Sequence, residues 1–413
     1  MGLQATPSGE RVRIGFFGVR NAGKSSLANA LTGQGIAVVS DVAGTTTDPV
    51  RKAMELGPAG PVVLVDTPGI DDEGALGAER VARARTELTR VDVAVLAADA
   101  RAGLGPDDEA LLAEFAKRAL PHIIVLTKAD LLSADERAKS QALADASDGI
   151  FLASAAAGEG IEELRAALGA LAARARESKD APIAADLVAE GGLTVLVCPL
   201  DGSAPKGRLI LPQQLVLRDL LDAHLRALVC QPEELAATLA ELAVPPALVI
   251  CDSQAFEAVG KVVPESIPLT SFSILMARHK AQLAPFVRGA EALSRLTGES
   301  RVLIAEGCTH HRQCQDIGTV KLPAWIRAYA GCDPRFDFCS GGDFPQDLTC
   351  YDVIVHCGAC MLGEREVAER IARAEEAGVP IVNYGMAIAQ MKGLLARSLE
   401  PFGGSRDRKK EEL

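Results

Sequence analysis

A glycine-rich segment near the beginning of the chain constrains the fold more than any other feature. Residues 18–25 read GVRNAGKS, directly after the apolar run IGFF and directly before the helix-forming run SSLANAL. A strand, a glycine-rich turn and a helix in this order are the context that a phosphate-binding loop requires. The pattern therefore predicts an α/β domain whose first strand ends at a phosphate site.

The residue types in this loop suit phosphate chemistry. Glycines let backbone N–H groups face the phosphate oxygens, and the N-terminus of the following helix adds the positive end of its dipole. We expect Lys24 to reach the β- and γ-phosphates and the Ser25 hydroxyl to bind Mg2+. The loop residues expected to contact the nucleotide are Gly18, Asn21, Ala22, Gly23, Lys24, Ser25 and Ser26.

Two motifs typical of nucleotide switches follow the loop. Asp66 and Gly69 belong to DTPG after the run PVVLV, where the carboxylate can hold Mg2+ through water and the Gly69 N–H can sense the γ-phosphate. The second motif, GTTTD, lies between the phosphate-binding loop and DTPG. Its Thr46 is the predicted hydroxyl that closes on Mg2+, with Thr45 as the alternative. We expect Lys24, Thr46, Asp66 and Gly69 to form the catalytic group.

A third motif predicts which base is bound. Thr127, Lys128 and Asp130 belong to TKAD after the run HIIVL. The Asp130 carboxylate can accept hydrogen bonds from guanine N1–H and N2–H2, a pair of donors that adenine lacks, so the motif favours GTP over ATP. Lys128 should lie along the base, and Ser154 and Ala155 should bring a backbone N–H to guanine O6. Asn usually stands in place of Thr127, and one lost hydrogen bond would weaken binding by about 0.5–1.5 kcal/mol without changing specificity.

The chain divides into three predicted blocks, 1–175, 186–283 and 284–405, joined after the first block by a charged linker at 172–180. In the first block, apolar runs that predict strands alternate with helical stretches: VRIGFFG, PVVLVD, VDVAVLAAD, PHIIVLT and GIFLAS. The later blocks contain the strand-like runs LTVLVCPL, ALVICD, RVLIAEG, DVIVHCG and VPIVNYG, and a predicted helix LVLRDLLDAHLRAL. The predicted fold class is therefore α/β, with a P-loop GTPase domain followed by two smaller α/β domains.

Composition limits where such a protein works and what it binds. The formal net charge of −12 argues against general attraction to nucleic acid or to anionic lipid. No stretch approaches the length of apolar sequence that spans a bilayer, and the N-terminal residues lack the apolar core of a secretory signal. We therefore expect a cytoplasmic protein with no membrane partner, whose ten cysteines are reduced thiols.

The third block contains a second group of chemically active residues. Cys308 and His310 form CTH after the run RVLIAEG, and His356, Cys357 and Cys360 form HCGAC after YDVIV. Since each half follows a short strand, both can meet at one edge of a sheet, where open α/β sheets bind ligands. Soft thiolates at this spacing suit a tetrahedral zinc site or an iron–sulfur cluster. The two histidines are predicted either as ligands or as donors that orient the thiolates.

The remaining cysteines have less specific patterns. Cys198, Cys230 and Cys251 lie in apolar runs and are predicted core residues. Three others, in a loop-rich stretch before HCGAC, show no ligand spacing: Cys332, Cys339 and Cys350. The thiolates of Cys308, Cys357 and Cys360 would supply three metal ligands. The candidates for a fourth, beside an exogenous one, are Cys314, Asp316, His310 and His356.

The nucleotide motifs together resemble the Era and TrmE branch of translation-factor-like GTPases, whose phosphate loop often reads GxxNxGKS. Asn21 stands at the Asn of that pattern. The resemblance implies that Asn21 helps to hold K+ beside the phosphates, with backbone carbonyls from about residues 40–45, and that the cation replaces an arginine finger. Ile70 follows DTPG where other GTPases have a water-positioning glutamine, so we expect slow turnover that K+ stimulates.

Over nearly the whole chain, the sequence resembles the HydF family of FeFe-hydrogenase maturation GTPases. The resemblance lies in the GTPase motifs followed by CTH and HCGAC, and in the segments APKGRLILP and DIGTVKLP. The resemblance implies a 4Fe–4S cluster held by Cys308, Cys357 and Cys360, with one iron open to an exchangeable ligand. It implies a homodimer formed through residues 186–283, and a scaffold that receives a two-iron precursor and delivers it to apo FeFe hydrogenase. The implied partners are two radical-SAM maturases and that hydrogenase.

One reading of a different class stays open beside this resemblance. An RNA- or ribosome-associated GTPase of the Era and TrmE type, with zinc in its third block, would use the same motifs. The acidic net charge counts against it.

Overall fold

The computed structural model describes residues 11–33, 50–70, 84–177, 181–200, 209–307, 317–341, 343–359 and 362–403. The chain forms two compact units, Met1–Asp180 and Ala181–Leu413. The predicted nucleotide motifs lie in the first unit and the predicted thiolate motifs in the second. Among the described helices, none combines the length and the apolar character needed to cross a bilayer.

The first unit contains a six-stranded sheet in the order β2-β3-β1-β4-β5-β6. Its strands are β1 Val12–Phe17, β2 Val50–Glu55, β3 Pro61–Asp66, β4 Val93–Asp99, β5 His122–Thr127 and β6 Ile150–Leu152. Strand β2 is antiparallel to β3, and the other pairs are parallel. Buried residues alternate between the two faces, with Phe16 in one core and Phe17 in the other, as expected for a sheet covered on both sides.

Helices cover both faces of this sheet. They are α1 Lys24–Thr32, α2 Pro106–Lys117, α3 Ala134–Ala146 and α4 Ile161–Glu177. Helices α1 and α4 bury Leu27 and Leu164 in one core, and α2 buries Phe115 in the other. The parallel α/β prediction is confirmed. The prediction of a linker beginning at residue 172 is wrong, because α4 continues to Glu177 and Ala172 is fully buried in the core.

The second unit contains two four-stranded sheets, each entirely parallel, that share one apolar core. The first sheet, in the order β10-β9-β7-β8, has the strands β7 Leu193–Val197, β8 Arg226–Cys230, β9 Leu248–Cys251 and β10 Leu269–Ser271. The second sheet, in the order β12-β11-β13-β14, has the strands β11 Arg301–Glu306, β12 Arg335–Ser340, β13 Val353–His356 and β14 Ile381–Asn383.

Helices connect these strands, and the last two helices follow the final strand β14. They are α5 Leu211–Asp222, α6 Leu235–Glu241, α7 Phe256–Val262, α8 Phe272–Lys280, α9 Leu283–Ala292, α10 Leu322–Ala330, α11 Glu364–Glu376, α12 Tyr384–Met391 and α13 Leu395–Leu399. A single π-helical turn, Ile317–Lys321, precedes α10. Cys198 and Cys251 are buried in the core as predicted, and burial raises the pKa of the Cys198 thiol to about 12.

Two edge strands of this unit contradict the sequence prediction. The helix predicted to continue through Leu228 ends at Asp222, because His224 adopts a φ of 56° and the chain then pairs with β7 as strand β8. The stretch around Cys339 was predicted as loop but forms β12, which pairs in parallel with β11. In both places, pairing with a buried neighbour overrides the local sequence preference.

Candidate functional site

The phosphate-binding loop connects the end of β1 to the start of α1. Gly18, Asn21 and Gly23 have φ values of 137°, 61° and 92°. A Cβ atom on Gly18 would lie 2.2 Å from the Ala97 carbonyl oxygen of β4, so a glycine is needed there on steric grounds as well as conformational ones. The loop is therefore closely packed on the sheet at the carboxyl end of β1, where the motif predicts it.

Lys24 begins α1 and its side chain is buried within the loop. Its Nζ donates hydrogen bonds to the carbonyl oxygens of Gly18 at 2.9 Å and Val19 at 2.7 Å. The ammonium thus lies on the concave side of the loop. This is the position from which a lysine reaches the phosphates of a nucleotide.

The two side chains predicted at the Mg2+ site are in direct contact. Ser25 Oγ donates a hydrogen bond of 2.5 Å to Oδ2 of Asp66, the last residue of β3. The other carboxylate oxygen, Oδ1, is buried and has no hydrogen-bond partner within the described part of the chain. Burial raises the pKa of Asp66, while the hydrogen bond from Ser25 and the charge of Lys24 act in the opposite direction. A buried, partnerless carboxylate oxygen next to a hydroxyl fits a hydrated Mg2+ ion.

The switch residues are described only in part. Thr45 and Thr46 lie outside the described residues, so their predicted role stays a prediction. Gly69 is buried in the loop after β3. This loop is attached to β1 because the Thr67 hydroxyl donates a 2.6 Å hydrogen bond to the Phe16 carbonyl oxygen.

The residues predicted to bind guanine come together at the carboxyl ends of β5 and β6. Asp130 is exposed, and the Ser154 hydroxyl donates a 2.5 Å hydrogen bond to its Oδ1. Ser154 itself is fully buried, and its backbone N–H donates to the Glu159 carbonyl oxygen. Of the two residues predicted to contact guanine O6, Ala155 is therefore the one left for that contact. Ser154 instead holds the Asp130 carboxylate, which is predicted to read the base.

Lys128 lies in a charged group that includes two residues not predicted from the motifs. Its Nζ donates a 2.9 Å hydrogen bond to Asp99 Oδ2, at the end of β4. Arg101 binds the same carboxylate through Nε at 3.0 Å and Nη2 at 2.6 Å. The Arg101 hydrogen bond, followed by that of Lys128, holds the pKa of Asp99 well below its ordinary value. An acidic residue ending the strand VAVLAAD is the sequence signal that marks this position.

Thr127 keeps a connection to the phosphate loop although it replaces the usual Asn. Its hydroxyl lies 2.6 Å from the Ala22 carbonyl oxygen and 3.1 Å from that of Ala98. The same hydroxyl would lie 3.2 Å from a Cβ on Gly23. A buried hydroxyl that donates to the loop contributes about 0.5–1.5 kcal/mol. Thr127 therefore links the base-binding segment to the phosphate loop.

The strands that precede the two predicted thiolate motifs lie side by side. Strands β11 and β13 are parallel neighbours, and Ala305 pairs with His356 in their register. Beyond the strand ends, the backbone N–H of Gly307 donates a 3.0 Å hydrogen bond to Cys357 Sγ, and Cys308 is the next residue. The last described residue before CTH thus contacts the first cysteine of HCGAC at one edge of the sheet.

Most of the other predicted ligands are not described: Cys308, His310, Cys314, Asp316 and Cys360 lie outside the described residues. Across the ranges that the structure does describe, no group of three or more His, Cys, Asp or Glu side chains is placed to hold a metal ion.

The surroundings of Cys357 fit a thiolate ligand. Its sulfur accepts hydrogen bonds from two backbone N–H groups, those of Gly307 at 3.0 Å and Ala359 at 3.4 Å. A Cβ on Gly307 would lie 2.8 Å from the Leu362 side chain and 3.4 Å from this sulfur. Backbone donors stabilise the charged form of a thiol, as metal ligation requires. These contacts suit a thiolate at Cys357, and its role as a metal ligand stays a prediction.

His356 is buried, and both of its ring nitrogens have partners. Nδ1 lies 2.8 Å from the Cys357 carbonyl oxygen, and Arg370 Nη1 lies 3.0 Å from Nε2. Since arginine can only donate, Nε2 accepts and Nδ1 carries the proton. Burial, then the charge of Arg370, lowers the pKa of His356 to about 3. Of its two predicted roles, the structure supports orientation of the Cys357 peptide.

Arg370 is itself held firmly. It donates a 2.9 Å hydrogen bond to Glu366, one turn earlier on α11, and a 2.6 Å hydrogen bond to the Gly341 carbonyl oxygen. Its guanidinium lies 5.0 Å from the centre of the Phe344 ring. Neither Arg370 nor Glu366 was predicted, because charged residues on a helix usually face solvent. Together they support the histidine that precedes the predicted cysteine ligand.

Several curated GTPases are similar to part of the chain. The chain is 42% identical over 130 residues to the tRNA modification GTPase MnmE of Burkholderia thailandensis, which covers 30% of this chain and 27% of that protein. It is 40% identical over 131 residues to the GTPase Der of Maridesulfovibrio salexigens, with 30% and 29% covered. The chain therefore spans less than a third of the length of these two relatives.

A solved structure of Era from Aquifex aeolicus is 28% identical and has a TM-score of 0.32, covering 38% of this chain and 56% of that one.

Family models account for most of the chain. Residues 13–128 match the model described as 50S ribosome-binding GTPase. Residues 183–281 match the Hydrogen maturase F dimerization domain, and residues 284–401 match the Hydrogen maturase F tetramerization domain. The last match covers the block predicted to bind iron and sulfur. With a GTPase domain followed by both hydrogen maturase F domains in succession, the chain belongs to the HydF family of hydrogenase maturation GTPases.

Proposed function

We propose that this protein is a GTP-hydrolysing scaffold in FeFe-hydrogenase maturation that carries a 4Fe–4S cluster on Cys308, Cys357 and Cys360. One observation supports this above the others: in a member of the HydF family, the backbone N–H of Gly307, the residue that precedes Cys308 in the sequence, donates to Cys357 Sγ. Such a cluster, when bound, would offer an iron position at which a two-iron precursor can be held.

In the nucleotide site, the protein contributes position and charge. Lys24 binds the β- and γ-phosphates. Ser25 holds Mg2+ directly and Asp66 holds it through water, and Thr46 closes on the metal. Asp130, oriented by Ser154, selects guanine. Hydrolysis in this arrangement is slow because Ile70 cannot orient the attacking water as a glutamine would.

A potassium ion is the proposed source of the positive charge that an arginine finger supplies in other GTPases. Asn21 is exposed at the tip of the phosphate loop with a φ of 61°, where its side chain can face both solvent and phosphate. We expect GTP hydrolysis to be at least about tenfold faster in K+ than in Na+, a fraction of what an arginine finger supplies. Steady-state rates in matched chloride salts measure this, and an Asn21→Ala variant should lose the difference. Equal rates in the two salts for the wild-type protein would remove this role from Asn21.

The proposed partners follow from the family. The protein would form a homodimer through its dimerization domain and associate further through the tetramerization domain. It would meet two radical-SAM maturases and apo FeFe hydrogenase in the cytoplasm.

The metal content of the protein tests the proposal. We expect full-length protein purified without oxygen to contain about four irons and four acid-labile sulfides per chain. Zinc without sulfide would instead favour a ribosome- or RNA-associated GTPase. That second candidate is supported by the match of residues 13–128 to a ribosome-binding GTPase model and opposed by the net charge of −12.

A further inference from the structure

A buried lysine lies inside the loop that carries two of the predicted cluster ligands. Lys280 is the last residue of α8 and is only 5% exposed. Its Nζ donates hydrogen bonds to the carbonyl oxygens of Ala359 at 3.0 Å and Leu362 at 2.6 Å. These two carbonyls stand on either side of Cys360 in the sequence. The ammonium therefore contacts the backbone that follows Cys357 at Ala359 and at Leu362.

The other end of the same helix is attached to the same edge of the sheet. The Asn383 side chain donates a 3.0 Å hydrogen bond to the Ser273 carbonyl oxygen, and Asn383 pairs with His356 in the register of β13 and β14. A Cβ on Gly385 would lie 2.4 Å from the Ser273 Cβ atom, so helix α12 approaches the start of α8 closely. Both ends of α8 thus contact the carboxyl edge at which Cys357 lies.

This helix and this loop belong to different family domains. Helix α8 lies within the dimerization domain, residues 183–281, whereas the loop lies within the tetramerization domain, residues 284–401. The predicted cluster site is consequently not built by one domain alone. Any displacement of α8 would be transmitted to the cysteine loop through Lys280.

The loop after Cys357 has a backbone conformation that the hydrogen bonds of Lys280 can stabilise. Ala359 has a φ of 53°, a left-handed conformation that residues with a Cβ adopt rarely. Hydrogen bonds from a charged donor are stronger than neutral ones, so Lys280 can hold the Ala359 carbonyl in this conformation. The same conformation directs the Ala359 N–H to Cys357 Sγ at 3.4 Å. A positive charge bound to the carbonyl of Ala359, two residues after Cys357, also favours the negative charge of thiolates in this loop.

We propose that Lys280 is a positioning residue for the loop that carries Cys357 and Cys360. Through Lys280, the dimerization domain would shape the cluster site and stabilise its negative charge. The inference rests on the proposed function, because it presumes that Cys308, Cys357 and Cys360 hold a cluster.

The test compares three variants of the full-length protein after anaerobic reconstitution. Lys280→Met removes the charge and keeps most of the volume, and Lys280→Arg keeps the charge. Lys261→Met is the matched control, since Lys261 is an exposed lysine of the same domain, paired with Glu257 on α7. The measurements are the rate of iron loss to a chelator, the midpoint potential followed by EPR, and the circular dichroism of the unloaded protein.

We expect Lys280→Met to lose iron about tenfold faster than wild type, as when a residue that supports metal ligands is removed. Its midpoint potential should become more negative, because the reduced cluster carries more negative charge and loses a neighbouring cation. Lys280→Arg should recover part of both effects, and Lys261→Met should show neither. A purely structural role for Lys280 would leave the midpoint potential unchanged.

The outcomes separate the inference from the function on which it rests. If wild type retains a cluster and Lys280→Met matches it in both iron retention and potential, with normal circular dichroism, the inference is wrong and the proposed function stands. If wild type itself binds no iron and sulfide, the proposed function fails first.

Discussion

Replacing Asp130 with Asn should lower the affinity for GTP by about two to four orders of magnitude and transfer preference to xanthosine triphosphate. In the proposed site the carboxylate accepts from guanine N1–H and N2–H2, and hydrogen bonds to a charged group are worth about 1.5–3 kcal/mol each. The amide of Asn offers a donor to the xanthine oxygen at C2 instead. Since the Ser154 hydroxyl can donate to an amide oxygen as it does to Asp130 Oδ1, the site should stay intact.

Titrations of wild type and Asp130→Asn with GTP, ATP and xanthosine triphosphate measure this change. Asp145→Asn is the matched control, because Asp145 is an exposed residue on α3 that pairs with Gln141. The assignment of the base-reading motif would be wrong if ATP competed equally with GTP for the wild-type protein.

The second large effect concerns the thiolates. Cys357→Ala should abolish the 4Fe–4S EPR signal and reduce bound iron to background, because it removes a ligand and leaves the N–H groups of Gly307 and Ala359 without their acceptor. Cys308→Ala and Cys360→Ala should have the same effect. Cys350→Ala is the matched control, since Cys350 is an exposed cysteine of the same unit.

The same measurements decide whether one iron is open. Cys314→Ser should keep the cluster, and imidazole or cyanide added to wild type should alter its spectrum by coordinating the open iron. Loss of the cluster in Cys314→Ser, together with a wild-type spectrum indifferent to both ligands, would indicate a closed four-cysteine centre instead. His356 is not expected to be the fourth ligand, because both of its ring nitrogens already have partners.

Sequence patterns predicted the buried parts of the fold better than its edges. The central strand β4 is an apolar run up to its last residue because helices cover both faces of its sheet. Strands β2, β8 and β12 lie at sheet edges, and β2 carries the charged residues Arg51 and Lys52. Such segments become strands through pairing with a neighbour, which a local pattern does not contain.

By itself, the sequence determined the phosphate loop, the DTPG and TKAD motifs and the spacing of CTH and HCGAC, because each depends on residues that are close along the chain. Only the tertiary structure decided which distant groups support them. The contact of Ser154 with Asp130 spans 24 positions, and that of Lys280 with Ala359 spans 79. Such contacts arise where elements that are distant in the sequence pack at the carboxyl edge of a parallel sheet, and no periodicity along the chain encodes them.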